Sequence, residues 1–397
     1  MVLRILVALF FAAAFVKAGN EAAGSKVEKT PDNPEGKPVV ADCIGKSEFL
    51  EKYKLLSYQN IVNAQPEAIV RNDGVLVFAI AYFMKEDSNP DGLDCNVLVK
   101  SRNQRTDDEL NSIRSEVGFL KTLKDLKVTP TYHFCFYEYK KFGGNSYFRY
   151  HIVHEEVKTI LFSEDMAQKF QSFDLPVKIY KVLQIALAIQ QMHTLGITHQ
   201  NINLETIVST DAELTDVRLV DFTYAVEVGK TGFGKIGNPG VRGNNVFYSP
   251  DKLKDKSFTA TFQQDAYAFA VSIIFLFDFK NTFELKIKAA CPKEVETFTE
   301  KCKAAFLEKD LKITEDSKVK SLLEYLQERL YGQKEELEIG KMIEELVTVY
   351  KATLEGNGSK FAETTKKVEE VENASKTNIE AIGKLSLSID NKNVIIV

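Results

Sequence analysis

The chain has 397 residues, enough to bury a large core in one two-lobed domain or two modest ones. Hydrophobic residues make up 44% and charged residues 27%, a globular balance that argues against wholesale disorder. The net charge is −5 and no basic stripe is interleaved with aromatics, which sets nucleic acid aside as a partner.

The first eighteen residues read as a secretory signal peptide. Arg4 supplies the positive n-region, Ile5 to Val16 is an apolar stretch too short to span a bilayer, and Val16 and Ala18 sit before a cleavage site. A membrane anchor or a buried helix is the competing reading, disfavoured by the polar, helix-poor sequence that follows at once. No other segment reaches 18 apolar residues, so the mature chain is expected to be secreted and without a transmembrane segment. Residues 19–45 are polar, carry three prolines and are expected to form a flexible leader.

Short apolar or β-branched runs at Ala68 to Arg71, Val75 to Met84 and Cys95 to Lys100 predict strands, punctuated by Asn72-Asp73-Gly74 and Asn89-Pro90-Asp91-Gly92. Ile113, Val117, Leu120 and Leu123 at helical spacing predict a helix over Asp107 to Leu126. Two more strands are predicted at Pro130 to Tyr139 and Ser146 to Glu155. From Pro176 the pattern turns helical. A long helix over Val177 to Leu195 precedes a strand–turn–strand stretch (Thr206 to Asp221) and a glycine-rich segment (Gly229 to Gly243). Helices follow over Asp265 to Phe279, Val319 to Leu330 and Glu335 to Tyr350. Strands with one helix, then helices with a small strand insert, predict an α+β chain. The segment 353–397 is Lys/Glu/Asn-rich and reads as a C-terminal tail with room for a helix.

Five cysteines (Cys43, Cys95, Cys135, Cys291, Cys302) allow at most two bridges; Cys291 and Cys302 are the candidate pair, against the alternative that all five are small buried hydrophobes. Asn357-Gly-Ser and Asn373-Ala-Ser become glycosylation acceptors if the chain enters the secretory path. No serine or cysteine nucleophile with a partnered histidine is legible, and five scattered histidines offer little material for one.

The stretch Gly196 to Val208, GITHQNINLETIV, is followed thirteen residues later by Asp221-Phe222-Thr223. It resembles the catalytic loop and metal-binding motif of the protein kinases, HRDLKxxN and DFG. Five further pieces fit in order: the long helix before the loop, Val97-Leu98-Val99-Lys100 as the lysine strand, Glu116 as the lysine's partner, Phe247 to Asp251 as the end of the activation segment, and Asp265 opening the helix that braces the loop. The resemblance covers residues 55 to 350 and implies a bilobal kinase-like fold, with a small β-rich N-lobe (46–156) holding one main helix and a larger helical C-lobe (157–352). It also implies that His199 packs against Phe222, and that Asp251 pairs with Arg329 in place of the family's glutamate–arginine pair. An exposed Arg329 at a helix end is the alternative.

The departures from the family govern the functional expectation. The carboxylate that accepts the substrate's proton is replaced by Asn201, whose amide takes no proton at neutral pH. The following lysine is replaced by Asn203, the second metal ligand by Thr206, the arginine of the triplet by Gln200 and the glycine of the metal motif by Thr223. No GxGxxG lies between Tyr53 and Phe83; the one such string, Gly232 to Gly237, falls in the activation segment. Lys100, Glu116 and Asp221 are retained. They either hold a nucleotide through one metal ion or serve structure, as an ion pair and a turn cap. The expectation is a secreted, catalytically inactive pseudokinase that binds unidentified protein partners and needs no cofactor. The alternative is an atypical secreted kinase with weak ATP/Mg²⁺ binding or residual phosphotransfer. The signal peptide, missing glycines and altered loop are together similar to a group of apicomplexan secreted kinases without the glycine loop, including a bradyzoite pseudokinase. Other secreted kinase-like proteins fit the same facts.

Overall fold

The computed structural model describes residues 29–52, 76–82, 96–155, 157, 159–160, 169–204, 206–211, 213–231, 247–249, 259–277, 322–323, 325–326, 329–330, 337–354 and 358–393. The expected signal peptide, the strand at 68–71, the Gly232 to Gly237 string, Asp251, Cys291, Cys302 and the sequon at Asn357 lie outside these residues. The chain divides into two compact units, Met1–Val117 with Tyr132–His154 and Gly118–Thr131 with Glu155–Val397. No helix among the described residues is long and apolar enough to cross a membrane.

The first unit is a five-stranded sheet with helices. Its strands are β1 (Cys43–Gly45), β2 (Leu76–Tyr82), β3 (Asn96–Gln104), β4 (Tyr132–Phe142) and β5 (Asn145–Glu155), in the order β1-β4-β5-β3-β2. β4 and β5 form a hairpin across Gly143-Gly144, both at positive φ (56° and 83°), as a two-residue primed turn requires. Along β3, Val97 and Val99 join a core with Phe136, Val153 and Phe49; Leu98 and Lys100 alternate with them and are buried too. The main helix, α2 (Asp107–Leu123), opens on a capping box. The Glu109 amide donates to Thr106 Oγ1 (3.2 Å), and the Thr106 amide donates back to Glu109 Oε2 (3.0 Å).

The leader expected to be flexible over 19–45 is folded from residue 29 on. Its apolar content is small but well spent: Val40 is buried, and its amide donates to the Tyr150 hydroxyl (3.2 Å). β1 pairs parallel with β4, placing Cys43 opposite Cys135, and those two form a disulfide. A bridge between residues 92 apart in sequence removes much chain freedom from the unfolded state, which a polar composition does not reveal. The short helix α1 (Lys46–Lys52) follows, its Ser47 amide held by Asp32 and its Phe49 ring stacked on Phe136 at 3.9 Å.

The second unit is built on helices. α3 (Leu175–His193) has a proline in its first turn and ends where Gly196, at φ 72°, turns the chain into β7 (Ile197–Thr198). β7 pairs with β10 (Val226–Glu227), and β6 (Thr159–Ile160), β8 (Ile207–Ser209) and β9 (Val217–Leu219) make a three-stranded sheet. The β8–β9 turn is fastened to α3 by Lys181, a buried ammonium donating to the carbonyls of Glu213 (2.9 Å) and Leu214 (2.5 Å). Burial brings its pKa down to about 8. α4 (Phe262–Phe277) buries Phe269, Ala270, Val271, Ile273 and Ile274, as a helix apolar all round must. α5 (Ile339–Thr353) buries a stripe of Ile339, Met342, Ile343, Leu346 and Tyr350.

The segment expected as a tail beyond 352 carries a 32-residue helix, α6 (Ala362–Asn393), packed on α3 and α5. Val368 and Val371 are buried there, and the fully buried Gln190 of α3 donates to Ser375 Oγ (2.9 Å) and accepts from Asn378 Nδ2 (3.2 Å). With so few apolar residues on its inner face, Val368 and Val371 mark that face together with Ser375, the polar partner of Gln190.

Candidate functional site

In the first unit Lys100 and Arg102 lie two residues apart on β3, hence on one face, and both reach Glu116 on α2. Lys100 Nζ donates to Glu116 Oε1, and Arg102 NH1 donates to Oε2 at 2.7 Å. Arg102 NH2 also donates to Ser112 Oγ, one turn earlier on α2, at 3.1 Å. The side chains are 1%, 9% and 1% exposed for Lys100, Arg102 and Glu116, so this is a buried two-cation, one-carboxylate cluster. The sequence paired Lys100 with Glu116; it did not single out Arg102, whose signal was its i, i+2 spacing from that lysine.

The second unit holds the loop. Asp265, at the start of α4, is fully buried and accepts from the amides of His199 and Gln200 (both 2.8 Å) and from His193 Nε2 (3.0 Å). Burial alone would raise the Asp265 pKa; the hydrogen bonds from His193 and from the His199 amide outweigh it and hold the carboxyl below its ordinary value. Those bonds fix Gln200 at φ 61°, and Asp221 sits at φ 67°. Left-handed backbone at non-glycine residues costs energy and persists only where neighbours enforce it. His199 lies 4.7 Å from the Phe222 ring, donates from Nε2 to the Val220 carbonyl (3.1 Å) and accepts the Asn201 amide on Nδ1 (3.3 Å), a neutral imidazole that serves packing.

The side chains of the loop are bonded to one another. Asn201 Nδ2 donates to Asp221 Oδ2 at 3.2 Å, and the Thr223 hydroxyl donates to Asp221 Oδ1. Asn203 Nδ2 donates to the Asn201 carbonyl (2.9 Å) and to Asn201 Oδ1 (3.3 Å), which fixes the Asn201 amide with its NH₂ toward the carboxylate. Thr206 Oγ1 accepts the Asn203 amide (3.0 Å) and faces the Asn201 carbonyl (3.0 Å). A magnesium ion takes oxygen ligands. Asn201 presents hydrogens, Thr206 is turned inward, and both oxygens of Asp221 accept within the chain.

Arg329 stacks its guanidinium over Tyr325 at 3.7 Å; its expected partner Asp251 lies outside the described residues. Asn373 is exposed on α6, while the serine of its sequon, Ser375, is the buried partner of Gln190. One constellation escaped the sequence. Ser101 Oγ lies 2.8 Å from His151 Nδ1, and His151 Nε2 lies 3.4 Å from Glu138 Oε1, three buried residues on three strands that only the sheet order β4-β5-β3 brings together. His151 stacks on Phe136 at 4.6 Å, and burial holds its pKa below the ordinary value against the pull of Glu138.

Residues 93–349 match the family model of the protein kinase domain, more than half of the chain. The match takes in β3 and the loop; the folded leader and α6 lie outside it. A comparison with curated proteins found no match.

Proposed function

The chain belongs to the protein kinase family, and from that premise we propose that it is a pseudokinase, a binding module that does not transfer phosphate. The observation that carries this reading is the hydrogen bond from the Asn201 amide to Asp221. At the position where the family has a carboxylate to receive a proton, this chain has a donor already committed to the metal-motif aspartate. Thr223 donating to the other oxygen of Asp221, and Thr206 bonded to Asn203 and Asn201 within the loop, support the same conclusion. Secretion is part of the proposal, supported by the N-terminal signal-like sequence and by the Cys43–Cys135 disulfide, which suits an oxidising compartment.

A second reading, weak nucleotide-dependent activity, has one observation in its favour: Lys100 and Glu116 are paired as an active kinase requires. Thermal melting with and without millimolar ATP and Mn²⁺ separates the two. A ligand at a hundred times its Kd stabilises by about 2.7 kcal/mol, a visible shift. The pseudokinase reading expects no shift. A shift abolished by Asp221→Ala, together with phosphate incorporated into a co-purified protein, overturns it.

A further inference from the structure

We propose that Arg102 is the residue that positions α2 against β3, and that it makes the placement of this helix independent of Lys100. The inference rests on membership of the kinase family, in which the pairing of the strand lysine with the helix glutamate is the contact that controls helix position. In this chain Glu116 has a second cation. Arg102 holds Oε2 at 2.7 Å while Lys100 holds Oε1, so the carboxylate keeps a counter-charge if either is withdrawn.

The two cations differ in reach. Lys100 contributes a point charge, here donating to one oxygen of Glu116. Arg102 presents a planar fork, whose two terminal nitrogens go to Glu116 and to Ser112 at 3.1 Å, four residues apart on α2. It therefore grips a full turn of the helix and fixes its rotation as well as its distance. All of these groups are nearly inaccessible to water, so the contacts are not screened as surface pairs are. The consequence is a helix that does not swing. Where an active kinase uses its lysine–glutamate pair as a switch, this chain has a fixed α2 whose outward residues, Asp107, Asp108, Asn111 and Arg114 among them, are presented in one orientation whatever Lys100 contacts.

Hydrogen–deuterium exchange across residues 107–123 tests this in the full-length protein, using K100M, R102M, R102K and the K100M/R102M double variant. K100M is expected to exchange within about threefold of wild type, since Glu116 keeps a charged partner, and R102M at least about tenfold faster, since two charge-assisted bonds are lost together. R102K, which keeps the charge and loses the fork, is expected to fall between them, an ordering that a simple requirement for positive charge does not give. The double variant alone strips Glu116 of both cations, and its effect is expected to exceed the sum of the single ones. If R102M does not fold, the comparison of R102K with K100M decides. α2 exchanging as fast in K100M as in the Arg102 variant, or faster, overturns the proposal. Failure of the pseudokinase reading is separately visible: a melting shift with ATP and Mn²⁺ alongside the expected exchange pattern would sink that reading and leave Arg102 in place.

Discussion

Asn201 and Asp221 face each other at 3.2 Å, and the pair is neutral on one side by the choice of an amide. Asn201→Asp restores the carboxylate found in the family, but here sets it against a second buried carboxylate, and two like charges at that distance do not both ionise. The variant is expected to lose about 1–3 kcal/mol at pH 7, the cost of a buried hydrogen bond replaced by repulsion. The shared proton raises a folded-state pKa above its unfolded value, so the deficit should shrink as the pH falls toward 5 and grow as it rises. Urea melts at pH 5, 6 and 7 measure this; a variant as stable as wild type at pH 7 would contradict the geometry. The amide at 201 was legible in the sequence, because its place in the loop motif is where the family has a carboxylate. The direction of the amide was not. It depends on Asn203 and Thr206 closing on the same residue, a matter of side-chain geometry.

Elements at the two ends of the chain were the hardest to read, and for one reason. The leader and α6 bury few apolar residues and are held by specific partners far away in sequence: Cys135 and Tyr150 for the leader, Gln190 for the helix. The strengths of these contacts differ. Ser375→Ala leaves the Nε2 group of a fully buried Gln190 without its acceptor on α6, expected to cost about 1–2 kcal/mol. Lys360→Ala breaks an ion pair with Asp174 whose side chains are both more than half exposed, expected to cost well under about 1 kcal/mol. Chemical denaturation of the two variants checks the ranking, and an equal loss in both would mean that the exposed ion pair of Lys360, in the turn before α6, holds the segment as firmly as the buried bond to Gln190. By contrast α2 was legible almost to its ends, because its apolar period and its Thr106–Glu109 cap both act locally.

For the molecule as a whole, stability is coupled to pH through buried groups whose pKa values the fold has moved. His151 has a folded-state pKa below its unfolded value, because removal from water outweighs Glu138 nearby, and Arg149 and Lys140 push the same way. The unfolded chain therefore takes up a proton that the folded chain refuses, and stability should fall as the pH drops from about 7 toward 5. Asp265 is depressed as well, but its contribution is present above the ordinary carboxylate range and is lost only in stronger acid, below about pH 4, so the two do not overlap. His151→Gln is expected to flatten the profile between pH 7 and 5 while lowering stability throughout. Melting temperatures across that range test it, and an unchanged slope in the variant would assign the effect elsewhere.

The sequence by itself determined the family, most of the strands and helices from β2 to α5, and the amide at 201 where the family has a carboxylate, because these are carried by residue identity and by periods of a few residues that act locally. Only the tertiary structure decided where the Asn201 amide points, that Lys100 and Arg102 each hold one oxygen of Glu116, that Cys43 meets Cys135, and that a polar terminal segment is a docked helix. Each of those depends on register between strands or on a single polar group finding its partner across dozens of residues, and neither leaves a repeating trace in the chain.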